Sequence, residues 1–151
     1  MRALDRAVEA LLGLIFALLI VTAFGQVVGR YLLSYSLAWV LEFDVLLLVW
    51  ATLLSGYVGV RRNLHMAVDF CITGLSGANR RRMAIANHLA CAVFVALFGW
   101  HSFAVIDSMQ GIPFASLPVG QPALYWSLPV GAALMLVALT VELAKLFRAQ
   151  N

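Results

Sequence analysis

Polar side chains inside or beside long apolar runs are where this sequence could do chemistry. An ionisable group is costly in hydrocarbon and is normally kept there for pairing, binding or proton transfer. Arg30, Glu42 and Asp44 are separated by one short polar-aromatic stretch that also holds Trp39. A turn between them would bring all three to one level. They would then form a site for an anion, a contact for an external partner, or an ion pair that locks a helical hairpin. Arg61, His65 and Asp69 recur at i, i+4 and i+8 and so stay close to one helix face. That pattern suits either a proton relay or a hydrated face whose arginine reaches lipid phosphate. Arg62 stands three before the same histidine. Glu142 and Lys145, at i and i+3, form a local pair near the chain's end.

Other chemistries find no support. His88 and His101 are 13 residues apart, which on a helix is about 20 Å of rise and about 140° of rotation. They do not face one haem. Cys71 and Cys91 are isolated and read as small apolar fillers. There is no phosphate-binding loop, metal-ligand spacing or nucleophile-base pattern. The expectation is a chain that is not an enzyme and holds no cofactor or metal of its own.

The elements that must position these groups follow from composition. Of 151 residues, 64% are apolar and only 11% charged, against about 45–50% and 25% in soluble proteins. Seven acidic and ten basic residues cannot cover the surface of a soluble fold. Charge-free runs occupy 10–29, 45–60, 83–106 and 108–141, the last broken early by Pro113, Pro118 and Pro122. A membrane-spanning helix needs about 20 apolar residues, and a backbone in lipid must satisfy its own hydrogen bonds. The sequence therefore predicts an all-α integral membrane protein forming one domain over 1–151, with spans at 8–29, 41–60, 83–106 and 123–147. The apolar run continues past Ala23-Phe24-Gly25, so the first span is expected to be retained rather than cleaved. Pro122 suits the first turn of the fourth span, and Pro129, one to two turns further, is expected to kink it.

With four spans both termini share a side. Arg2 and Arg6, then Arg61, Arg62, Arg80, Arg81 and Arg82, then Lys145 and Arg148 all fall on that side, leaving only Arg30 opposite. The positive-inside rule makes it the cytoplasmic side. The +3 net charge is thus topological and does not indicate nucleic acid. Between the second and third spans, Leu64, Val68, Cys71, Ile72 and Leu75 mark an amphipathic interfacial helix at 63–76. Arg80, Arg81, Arg82, Trp50 and Trp126 are expected to anchor the bundle at the membrane interfaces.

A family resemblance rests on several short motifs. They are Gln26-Val27-Val28-Gly29-Arg30-Tyr31, then Ser36-Leu37-Ala38-Trp39-Val40-Leu41-Glu42, Trp50, Arg61-Arg62-Asn63-Leu64-His65-Met66-Ala67-Val68-Asp69, and Pro122-Ala123-Leu124-Tyr125-Trp126-Ser127-Leu128-Pro129-Val130-Gly131. Together these resemble the small membrane subunit (DctQ-like, the Q component) of tripartite ATP-independent periplasmic (TRAP) transporters. The proline common before the family's tryptophan is replaced by Leu37-Ala38. The resemblance implies a subunit in the bacterial inner membrane that scaffolds a large membrane subunit, the M component. That partner would carry the substrate and Na+ sites. A periplasmic substrate-binding protein, the P component, would deliver a carboxylate-bearing solute for import down an ion gradient. Arg30, Trp39, Glu42, Arg61, Arg62, His65 and Asp69 are then candidate structural or partner contacts. The competing readings are a self-sufficient homo-oligomeric exporter or channel, the membrane anchor of a redox enzyme, and a four-span assembly factor.

Overall fold

The computed structural model describes residues 2–32, 38–62 and 77–148. Helix α1 spans Arg2–Leu32, α2 Ala38–Arg61, α3 Gly77–Ser108, α4 Pro122–Tyr125 and α5 Ser127–Arg148. Four of these segments are long and apolar enough to cross a membrane: Ala3–Leu32, Ala38–Arg61, Arg82–Ser108 and Pro122–Lys145. The observed helices contain the expected spans and overrun most of their ends. At 1.5 Å per residue, the 31 residues of α1 and the 32 of α3 reach nearly 50 Å, against a hydrocarbon core of about 30 Å. That length leaves room for their charged ends to stand beyond an apolar layer of this thickness.

The expected interfacial helix at 63–76, with His65 and Asp69, lies outside the described residues. One boundary is corrected. Arg80, Arg81 and Arg82 belong to the opening turns of α3 rather than to the preceding connection. The fourth span is interrupted one turn before Pro129, where the expected proline disturbance acts. It is broken at Trp126 into α4 and α5. Pro129 has no N–H to donate to the carbonyl of Tyr125, and its ring crowds that carbonyl. The break falls one turn before the proline for that reason. Trp126 N–H still bonds Pro122 O at 2.9 Å, and the Ser127 hydroxyl donates to Leu124 O at 2.6 Å.

The helices form a row. Helix α1 packs on α2, α2 on α5, and α5 on α3; among the described residues α1 and α3 do not pack on each other. Helices α2 and α5 run parallel, so the start of α1 and the ends of α2 and α5 share one end of the row. In lipid there is little hydrophobic drive between helices, and close approach through small residues replaces it. A Cβ on Gly131 would stand 2.8 Å from the Leu53 Cβ, and one on Gly99 would stand 2.9 Å from the Ala132 Cβ. Gly56 is likewise covered by Met135. The buried core joins Val8, Leu12 and Ile15 to Ala51, Leu54, Tyr57 and Val60 and to Ala138 and Leu139. It lies in the half of the row nearest Arg61. Phe24, Val27, Tyr31, Val93, Phe94, Leu97 and Trp100 are exposed, as lipid-facing or partner-facing side chains must be.

Candidate structural and partner-contact site

Arg61 closes α2 and lies at the centre of a charge cluster that links three helices. Its Nη2 is 2.8 Å from Asp5 Oδ2 of α1, and its Nε donates to Asp5 Oδ1 at 2.9 Å. Its Nη1 reaches Glu142 Oε1 of α5 at 2.6 Å. The Tyr57 hydroxyl, one turn before Arg61, donates to Asp5 Oδ1 at 2.6 Å. Lys145 Nζ donates to the two Glu142 oxygens at 2.8 and 3.0 Å. A planar guanidinium can hold two carboxylates in different directions at once, which an ammonium cannot do with equal precision. Glu142 and Tyr57 are buried, at 5% and 1% exposure, so these two lie inside the packing, while Lys145 stands at its exposed rim. Arg62, next in sequence, bonds Glu9 at 2.6 Å, but that pair is solvent-facing at 60% and 44% side-chain exposure.

A second polar site closes the other end. Glu42, in the opening turns of α2, accepts the backbone N–H groups of Ala115, Ser116 and Leu117 at 2.8, 2.8 and 3.0 Å. These residues form the tip of the connection from α3 to α4. Phe114 N–H bonds Val119 O, Gln121 N–H bonds Ile112 O, and Pro113 bridges to Gly120. Gly111, at φ 78°, makes the turn into that connection in a region that favours glycine. Below it, Thr22 of α1 donates to Asp44 Oδ1 of α2 at 2.5 Å. Trp50 Nε1 donates to Ala123 O of α4 at 3.2 Å.

The expected groups are therefore rearranged. The Arg30–Glu42 pair is not formed: Arg30 is exposed in the last turn of α1, and Glu42 is satisfied by backbone N–H groups. Arg61 turns to Asp5 and Glu142, while His65 and Asp69, the other two members of its expected face, lie outside the described residues. Trp39 is half-exposed and tilts its ring against Phe43 at 6.2 Å. Trp50 stands midway along α2 and joins it to α4 near the start of the fourth span. Trp126 is half-exposed at the helix break, edge-on to Phe103. The Glu142–Lys145 pair is present as expected. His88 Nδ1 lies 2.8 Å from its own helix's Ala84 O, and His101 is exposed. Among the described residues no three His, Cys, Asp or Glu side chains gather as a metal site.

Asp5, Tyr57 and the backbone at 115–117 are the members that sequence reasoning missed. Asp5 and Glu142 were findable, since the topology puts both at the level of Arg61. The 115–117 acceptor site was not, because backbone N–H groups leave no trace in residue type.

The sequence pattern of the family described as "Tripartite ATP-independent periplasmic transporters, DctQ component" matches residues 19–149. The chain is 29% identical over 105 residues to the C4-dicarboxylate TRAP transporter small permease protein DctQ of Vibrio cholerae serotype O1. That alignment covers 66% of this chain and 45% of the relative, so the chain spans less than half of that protein's length. It is 23% identical over 167 residues to the protein of the same name from Rhodobacter capsulatus, covering 89% of this chain and 74% of that one. These relatives are transporter subunits, not enzymes. With four apolar helices and a family match over most of its length, this multi-pass inner-membrane chain belongs to the DctQ component family of TRAP transporters.

Proposed function

We propose that this chain is the small permease subunit of a TRAP transporter and serves as the fixed part against which a large membrane subunit works. The observation that carries the reading is the Arg61 cluster. One guanidinium holds α1 and α5 to α2, while Glu42 holds the opposite connection. A chain whose helices are pinned at both ends is suited to bear load, not to alternate between two shapes. The named relatives are C4-dicarboxylate permease proteins, so the solute is a small carboxylate, delivered by a periplasmic binding protein. The large subunit holds the solute and the driving cation, expected to be Na+. Nine of ten basic residues lie at the end shared by the termini, which supports an orientation with both termini in the cytoplasm.

The experiment is uptake of a labelled C4-dicarboxylate into proteoliposomes. The large subunit, this chain and the binding protein together should give ion-gradient-dependent uptake, and omission of this chain should abolish it. Uptake by this chain alone would establish the exporter-or-channel reading instead. The partner-facing role of the Glu42 end has its own test. If Arg30→Ala and Glu42→Gln leave both complex yield and uptake unchanged, that end makes no functional contact.

A further inference from the structure

Asn79, Arg82, Met83 and Ala86 line a surface groove of about 380 Å³ on α3. They follow an i, i+3, i+4, i+7 spacing and so share one helix face over about 10 Å. The groove is graded. Its polar members, Asn79 and Arg82, stand toward the charged start of the helix. Its apolar members, Met83 and Ala86, stand toward the span, and the exposed Ala90 and Val93 continue the same face into the apolar layer.

Asp5 and Glu142 are engaged by Arg61, Glu142 also by Lys145, and Glu9 by Arg62. The acidic side chains described at this end of the row are thus spent on other cations, and Arg82 takes part in none of these pairs. A cationic groove that becomes apolar with depth matches one kind of molecule, a lipid with an anionic headgroup. Cationic pockets beside spanning helices favour such lipids by electrostatics, and the acyl chain gains by burial.

We propose that this face of α3 is a binding site for an acidic phospholipid. The phosphate is bound by Arg82 and Asn79, and one acyl chain runs over Met83 and Ala86. This site is independent of the transporter reading, since it requires neither the large subunit nor a solute.

The test is native mass spectrometry of the full chain, purified in mild detergent with whatever membrane partner it retains. It is titrated with phosphatidylglycerol, phosphatidylcholine or inorganic phosphate. Phosphatidylglycerol should remain bound at collision energies that strip phosphatidylcholine. Arg82→Gln should weaken its retention about fivefold, the effect of removing one cation near an anionic headgroup. Arg82→Lys should keep most of it. Ala86→Phe, which fills the groove without touching charge, should weaken it too. Equal retention of the two lipids would overturn the proposal, as would full retention by Arg82→Gln. Displacement of the lipid by millimolar inorganic phosphate would overturn it in favour of a site for free phosphate. Arg82 is exposed, so its variants should fold, and an unchanged melting temperature in phosphatidylcholine will verify that.

Discussion

Arg61 and Arg62 are adjacent, of one residue type and both ion-paired, yet they should respond very differently to substitution. Arg62 and Glu9 are largely in solvent, where such pairs contribute little, so Arg62→Ala should leave thermal stability in detergent nearly unchanged. Removing Arg61 leaves Asp5 with only the Tyr57 hydroxyl and the buried Glu142 with only the exposed Lys145. Breaking such a pair from one side is far costlier than never having made it. In melting measurements Arg61→Ala should be the most damaging change in the cluster, Glu142→Gln intermediate, and Tyr57→Phe, which removes one hydroxyl, the mildest. Equal melting temperatures for Arg61→Ala and Arg62→Ala would refute the clamp. The distinction between the two arginines could not be read from sequence. Their order of importance is decided by which helix face points at α5, and the i, i+4, i+8 pattern that draws attention to Arg61 leads toward His65 and Asp69 instead.

At the scale of elements, spans are the most legible feature, because lipid imposes a length and a composition that no tertiary contact overrides. The break in the fourth span shows where that legibility stops. Pro129 announces a disturbance at the carbonyl four residues back, next to Trp126, but not that the span divides there into two helices. Helix contacts were less legible still, since a glycine at an interface and a glycine facing lipid look alike. The structure separates them: a Cβ on Gly131 meets Leu53, whereas one on Gly13 meets nothing within 4 Å. Gly131→Ala should therefore cost about 1–3 kcal/mol through overpacking. Gly13→Ala should stabilise by about 0.5–1 kcal/mol through helix propensity. Reversible unfolding of the two variants in mixed micelles checks both signs. The Glu42 latch makes a further prediction. Without its carboxylate three N–H groups lose their acceptor, so Glu42→Ala should speed proteolytic nicking between Gly111 and Gly120 about tenfold, equivalent to about 1.4 kcal/mol of local opening.

The whole molecule is a row of helices rather than a closed bundle, with α1 and α3 at its edges. Composition establishes that lipid surrounds such a chain, and the motifs establish its family. The row itself was not foreseeable, because apolar spans carry no face-specific pattern to say which helix sits beside which. A row held by polar contacts near both ends is what the proposed role as a frame for a larger partner requires. The direct test is affinity purification of this chain from its native membrane in mild detergent, with the co-purifying proteins identified by mass spectrometry and their stoichiometry measured. The account predicts one equimolar partner with ten or more membrane-spanning helices, retained by the wild type and lost from Arg61→Ala at temperatures where the variant's helices separate. Recovery of the chain alone, as a homo-oligomer, or with a flavin or iron–sulfur protein would contradict it.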